Sequence, residues 1–368
     1  MQQSIFQLAT VGVQTLVPYQ PGKPISELER ELGLTEIVKL ASNENPLGPS
    51  TKVKQAIQAA IADLSRYPDG NGFALKAALS KKWGVNDKQI TLGNGSNEIL
   101  ELLARAFLTT EHEVIFSQHA FAVYPLVTQA VGAIAKVIPA KNYGHDLPAM
   151  LAGITGKTRL VFIANPNNPT GTYLTEQALS TFLASVPEHV ICVLDEAYFE
   201  YVAQEDYPDS IAWLVDYPNL VITRTFSKAY GLAGLRIGYS LSSAEISDIL
   251  NRVRQPFNNN ALALAAAEAA INDSGYLADT VALNNAGMRQ LTDAFTEMGL
   301  PWIESVGNFV SVDMQREAAS INTALLHKGV IVRPVANYEM PRHLRISIGT
   351  ETENDFFITA LKAVLVDV

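Results

Sequence analysis

Hydrophobic and polar positions along this chain follow two periods. Short β-branched or aromatic runs at 113–117, 159–163, 190–194, 220–225 and 236–241 read as strands. Longer amphipathic or alanine-rich stretches lie between several of them. That alternation predicts a mostly parallel sheet with helices on both faces. Several runs are apolar throughout, the mark of strands covered on both sides. The polar stretch Gln255-Pro256-Phe257-Asn258-Asn259-Asn260 interrupts the pattern before a new helix opens at Ala261. A long helix is expected over about 279–298, and strands near 309–313 and 343–348 point to a smaller α+β unit. The fold class is α/β, with a large domain over 41–255.

Composition narrows the function. The 368 residues are 48% hydrophobic and 17% charged, enough for a large core and two domains. A net charge of −10 argues against general nucleic-acid binding but not against small anionic substrates, whose binding depends on local arginines. Cys192 is the sole cysteine, so no intrachain disulfide can form and a reducing compartment is expected. Its place inside an apolar strand suits a packed thiol better than a nucleophile. No apolar stretch reaches the length of a membrane span, and the amino end lacks a signal-peptide pattern. The expected location is the cytoplasm, with neither a membrane nor a nucleic acid as partner. The six histidines show no ligand-like clustering, so no metal site is expected.

Candidate chemistry sits where the apolar runs end. Thr225-Phe226-Ser227-Lys228, with Arg236 shortly after, sets a lysine among hydroxyls and glycines. A lysine that bonds a carbonyl cofactor needs a low-pKa amine. Thr225, Ser227 and the fork of Arg236 suit a phosphate. Alone, the stretch could also be a glycine-rich surface loop with a solvated lysine. Asp195-Glu196-Ala197-Tyr198 closes another run, and the carboxyl ends of parallel strands are where open α/β sheets bind ligands. A helix-capping Asp and a half-buried Tyr are the plainer alternative. A third run breaks at the turn Asn165-Pro166-Asn167-Asn168-Pro169-Thr170-Gly171. Finally, Gly93-Asn94-Gly95-Ser96-Asn97-Glu98 precedes Ile99, Leu102, Leu103 and Ala106, spaced as one helical face. Such a turn offers backbone N–H groups to an anion, although a capped helix without a ligand would read alike. Glu98 replaces the third glycine of a dinucleotide-binding turn, which argues against a nicotinamide fold.

In this order the segments resemble the fold-type I pyridoxal-phosphate aminotransferases, over nearly the whole chain. The resemblance implies a large domain with a mostly parallel sheet sandwiched by helices. It adds a small α+β domain built from 1–40, with an amino-terminal arm, and 256–368. It also implies pyridoxal 5'-phosphate held by Lys228, with Asp195 at the pyridine nitrogen and Asn168 and Tyr198 at the ring oxygen. Gly95, Ser96, Asn97, Thr225, Ser227 and Arg236 would cup the phosphate, and Phe121 would cover the ring face. Lys228, Asp195 and Tyr198 are the implied catalytic set. Arg66-Tyr67-Pro68-Asp69 resembles the segment that reaches a neighbouring subunit's cofactor phosphate, which implies a homodimer with shared sites.

For substrate, Pro18-Tyr19-Gln20-Pro21-Gly22-Lys23 resembles a segment of the histidinol-phosphate aminotransferases, as do Leu40-Ala41-Ser42-Asn43-Glu44-Asn45-Pro46-Leu47-Gly48-Pro49 and the arginines of Val332-Arg333-Pro334 and Leu344-Arg345-Ile346. The resemblance implies exchange between histidinol phosphate and 2-oxoglutarate/glutamate, with Tyr19, Asn168, Arg333 and Arg345 binding substrate. Aromatic or prephenate aminotransferases and threonine-phosphate decarboxylases remain alternatives.

Overall fold

The computed structural model describes residues 4–19 and 21–367; Gln20 of the amino-terminal motif lies outside the described residues. In chain order the strands are β1 (Val38–Lys39), β2 (Ile90–Gly93), β3 (Glu113–Ser117), β4 (Ile134–Ile138), β5 (Thr158–Ala164), β6 (Ile191–Asp195), β7 (Leu220–Thr225), β8 (Gly238–Ser242), β9 (Trp302–Ile303), β10 (Phe309–Asp313), β11 (Val330–Ile331), β12 (Arg333–Pro334) and β13 (His343–Ser347). Seven form one sheet in the order β2-β8-β7-β6-β5-β3-β4, in which β8 alone runs against its neighbours.

The period-2 pattern explains the layers. Leu160, Phe162, Val193 and Val221 point into one apolar cluster, while Val161, Ile163, Cys192, Leu194, Leu220 and Ile222 point into the other. A sheet whose successive side chains feed two cores must carry helices on both faces. Cys192 is fully buried, and burial pushes its thiol up to about 12, in keeping with a packed residue.

A second sheet, β12-β13-β10-β9, is antiparallel throughout. It packs Val310, Val312, Leu344 and Ile346 against Phe295, Phe357 and Leu361 from two long helices, Ser274–Glu297 and Glu351–Asp367. β1 pairs in parallel with β11, which ties the amino-terminal segment to this smaller unit.

Three features differ from the sequence pattern. The short strand β2 and the edge strand β4 stand outside the five large-sheet runs; β4 leaves Ile134 and Val137 exposed, so its pattern carries little strand signal. The expected strand at 236 begins at Gly238 instead, because Arg236 takes a left-handed backbone (φ 56°) after the turn Ala233–Leu235. The helix Ala261–Ile271, placed by sequence beyond the large domain's boundary at 255, buries Ala263, Ala266, Ala267 and Ala270 in the large sheet's core. Alanines at that helical spacing let backbones approach closely, and they look alike whichever unit they join.

Candidate active site

Polar side chains gather at the carboxyl ends of β5, β6 and β7, where each strand runs out of apolar partners. One wall is built to hold an anion. Thr225 Oγ1 donates to Ser227 Oγ at 3.0 Å, and Arg236 Nη1 donates to Ser227 Oγ at 3.3 Å and to the Ala233 carbonyl at 3.1 Å. Opposite them, Ser96 opens the helix Ser96–Phe107, whose first N–H groups lack intrahelical acceptors. Gly95 before it has φ 79°, and a Cβ there would lie 2.3 Å from Arg236 Nη2, so the cradle requires glycine. Gly238 plays the matching part on β8, where a Cβ would come within 2.5 Å of the Ser96 nitrogen.

The central wall carries the titratable pair. Asp195 ends β6 and is buried; Tyr124 donates to Oδ2 at 2.9 Å and Thr223 to Oδ1 at 3.1 Å. Burial outweighs those bonds and pushes its carboxyl up to about 6. Lys228 Nζ donates to the Ser42 carbonyl at 3.0 Å. Burial, reinforced by Arg345 and partly offset by Glu44, pulls its amine down to about 7. Burial thus moves the acid up and the amine down, the kind of perturbation that marks functional sites. Tyr198 Oη accepts from Asn43 Nδ2 at 2.9 Å, and burial raises its hydroxyl to about 12. Phe121 meets Tyr124 edge-on at 5.9 Å, and Tyr124 stacks on Phe162 at 4.7 Å.

The third wall comes from the smaller sheet. Arg333 on β12 and Arg345 on β13 are direct cross-strand partners, so two cations stand side by side. Like charges in that position destabilise a sheet unless an anion joins them. Arg345 is only 6% exposed; Nη1 donates to Asn168 Oδ1 at 2.5 Å and Nη2 to the Ala41 carbonyl at 2.7 Å. Its Nε is buried and has no hydrogen-bond partner among the described residues. Arg333 lies over the Tyr19 ring at 5.6 Å. The turn after β5, with cis bonds at Asn165-Pro166 and Asn168-Pro169, delivers Asn168 to Arg345.

One pocket is lined by Tyr19, Ser96, Asn97, Phe121, Asn168, Asp195, Tyr198, Thr225, Ser227, Lys228, Arg236, Arg333 and Arg345, so the sequence candidates converge in space. Gly95 sits against Arg236, as described. Tyr67 stands apart: it is 82% exposed, stacks on Phe257 at 4.7 Å, and is not among the lining residues of its own chain's pocket. Sequence reasoning missed Tyr124 and Asn43, which hold Asp195 and Tyr198, and Tyr338, which lines the pocket beside Arg345. For Tyr124 a signal existed, since it follows Phe121 by one helical turn.

A mostly parallel sheet that gathers a lysine, a buried acid and an anion cradle at its strand ends is the arrangement of an aminotransferase. The sequence profile of aminotransferase class I and II matches residues 35–361, and the chain belongs to that family. It is 61% identical to histidinol-phosphate aminotransferase 2 of Pseudomonas fluorescens, covering 99% of each chain. It is 57% identical to histidinol-phosphate aminotransferase 1 of Nitrosococcus oceani, again over 99% of each. Among solved structures it resembles the histidinol-phosphate aminotransferase of Sinorhizobium meliloti in complex with pyridoxal-5'-phosphate (TM-score 0.91, 30% identity, 97% of each chain). It shares its fold with an aspartate aminotransferase of Thermus thermophilus (TM-score 0.84, 21% identity, 97% of this chain and 98% of that one).

Proposed function

We propose that this aminotransferase uses pyridoxal 5'-phosphate to move the amino group of histidinol phosphate to 2-oxoglutarate, giving imidazole acetol phosphate and glutamate in histidine biosynthesis. The adjacent Arg333 and Arg345, meeting in the pocket that holds Lys228, carry the reading. One substrate bears a phosphate and the other two carboxylates, and both need an anion site beside the reacting amine.

The pocket fits the cofactor on its own terms. Beside Arg236, Gly95 holds a left-handed backbone (φ 79°) that other residues rarely adopt, and an acid and a lysine lie beyond it. When bound, the cofactor supplies a carbonyl that takes the substrate nitrogen and a ring that accepts the electron pair left on the substrate carbon. Ser96, Asn97, Thr225, Ser227, Arg236 and the Gly95 backbone hold its phosphate. Asp195, steadied by Tyr124 and Thr223, keeps a proton on the ring nitrogen. Tyr198 and Asn168 bond the ring oxygen, and Phe121 covers the ring face and excludes water. Lys228, whose amine burial lowers to about 7, would hold the cofactor's carbonyl end and, once free, would serve as the base that moves a proton at the substrate carbon.

Arg345 takes the carboxylate of glutamate or the phosphate of histidinol phosphate in turn, while Arg333 and Tyr19 add donors to the phosphate. Tyr67, exposed on its own chain, reaches the cofactor phosphate of a second copy, so the working unit is a homodimer. The proposed location is the cytoplasm.

The test is a half-reaction. The cofactor-loaded protein is mixed with histidinol phosphate and no keto acid, and its absorption spectrum is followed. Loss of the yellow band, restored by 2-oxoglutarate, is the expected result. Bleaching by phenylalanine or tyrosine but not by histidinol phosphate would move the assignment to an aromatic aminotransferase.

A further inference from the structure

Behind the pocket, on the opposite face of β6 and β7, lies a charged cluster with no part in the chemistry above. Glu196 follows Asp195, and Arg224 separates Thr223 from Thr225. Side-chain alternation puts Asp195, Thr223 and Thr225 in front and Glu196 and Arg224 behind. Arg224 donates to Glu196 Oε2 through Nε at 2.9 Å and Nη2 at 2.8 Å, and Ser210 donates to the other carboxylate oxygen at 2.5 Å. The guanidinium lies 3.7 Å from the Phe199 ring and 4.4 Å from that of Trp83, which is anchored by its own bond to Tyr239 at 3.0 Å. Glu196 is 1% and Arg224 5% exposed.

A buried ion pair gives little net stability, because desolvation cancels most of the Coulomb attraction and an apolar pair of similar volume does as well. Geometry offers another reason for this one. The apolar layer in front of the sheet ends at Ala164, Val193 and Val221. Beyond it the front face is polar, and the ends of β6 and β7 are held there by side-chain hydrogen bonds such as Tyr124 to Asp195 rather than by apolar packing. There the Glu196 N–H donates to the Thr223 carbonyl at 2.8 Å, and Asp195 and Thr223 are Cα partners. The Glu196–Arg224 fork closes the same four-residue block from the back.

We propose that Glu196 and Arg224 are a positioning pair that locks the ends of β6 and β7 in register, so that Asp195, Thr223 and Thr225 stand where the cofactor's ring and phosphate require them. The inference rests on the cofactor reading above and adds residues that touch neither cofactor nor substrate.

The test removes the charges while keeping the packing. A double variant, Glu196→Leu with Arg224→Met in the full chain, should melt as the apo-protein within about 5 °C of wild type. Its dissociation constant for pyridoxal 5'-phosphate should rise on the order of tenfold to a hundredfold, as small misplacements of binding groups do. The visible circular dichroism of the bound cofactor should weaken, which a purely stabilising role would not cause. Wild-type affinity and an unchanged visible band in that variant would overturn the proposal. Should the double variant fail to fold, Arg224→Lys, which keeps the charge but loses the fork, carries the same two readouts with the same criteria. A wild-type protein that binds no pyridoxal 5'-phosphate would overturn the cofactor reading and this pair with it. A wild type that binds it while the variants match overturns the pair alone.

Discussion

The front and back of the β6–β7 edge use similar residues to opposite ends. In front, Lys228, Arg236 and Arg345 are drawn into a pocket, and their described hydrogen bonds all go to neutral acceptors: backbone carbonyls, a hydroxyl and an amide oxygen. Behind, Arg224 spends two donors on a single carboxylate and packs its faces on aromatic rings. Burial alone does not separate them, since Arg345 in front is 6% and Arg224 behind 5% exposed. What differs is who satisfies the charge. The back pairs Arg224 with a fixed carboxylate of its own chain, Glu196. The front turns its acid and amine into the pocket, where burial raises the one to about 6 and lowers the other to about 7, which marks it as a site.

The strongest way to break this contrast is to remove the front's amine. Lys228→Ala should leave the fold intact while turnover falls by about 10³-fold or more, because both the carbonyl attachment and the proton carrier are lost. Stopped-flow absorbance of the half-reaction checks it; near-normal transamination would sink the central assignment. The same amine sets a pH dependence. Its folded pKa is lowered to about 7 from 10.5, so apo-protein below pH 7 holds it protonated and unreactive. Uptake of pyridoxal 5'-phosphate should accelerate as pH rises through about 7, not through 10.

Next in size are the paired arginines. Arg345→Gln should cut kcat/KM by about a hundredfold for histidinol phosphate and for 2-oxoglutarate alike. Arg333→Gln should cost roughly tenfold, and only with the phosphate substrate. Equal losses on both substrates from both variants would show that the two cations act as one undivided anion site.

Much of the front was readable in advance, and almost none of the back. Strands over 113–117, 220–225 and 309–313 match the observed bounds because their ends coincide with sharp changes in polarity. Lys228, Asp195, Asn168 and Arg236 became candidates only together: each segment alone also read as an ordinary loop or cap, and their order along the chain carried the resemblance. Arg345 entered through its resemblance to a substrate-binding arginine, and the structure shows it as a buried charge within β13. The Glu196–Arg224 pair spans 28 residues, and nothing local marks either partner. Tyr124's spacing from Phe121 marked its position but not its partner, because a helix's hydrophobic face tells which side is buried and not which acid lies beneath it. The alanine-rich helix Ala261–Ile271 gave no clue to its unit, since small side chains complement many surfaces.

The smallest effect sharpens the comparison from behind. Glu200, a half-buried residue beside Arg224, has its Oε2 sealed from solvent with no hydrogen-bond partner among the described residues. Burial, opposed by Arg224 and Lys82, pushes its carboxyl from 4.5 up to about 8. Because the folded pKa is the higher one, the folded chain holds this proton more tightly than the unfolded chain between those values. The stability it contributes is fully present below about pH 4.5 and is lost as pH rises through about 8. Glu200→Gln mimics the protonated acid at every pH. It should match wild type near pH 4.5 and exceed it by about 1–3 kcal/mol above pH 8. Urea unfolding of both apo-proteins at the two pH values isolates this group, since every other titration is shared. Turnover should change little, because Glu200 faces away from the pocket. A variant less stable than wild type at high pH would mean that Glu200 is ionised and paired with Arg224 or Lys82. The back would then hold two carboxylates against its cations, and Arg224 would no longer belong to Glu196 alone.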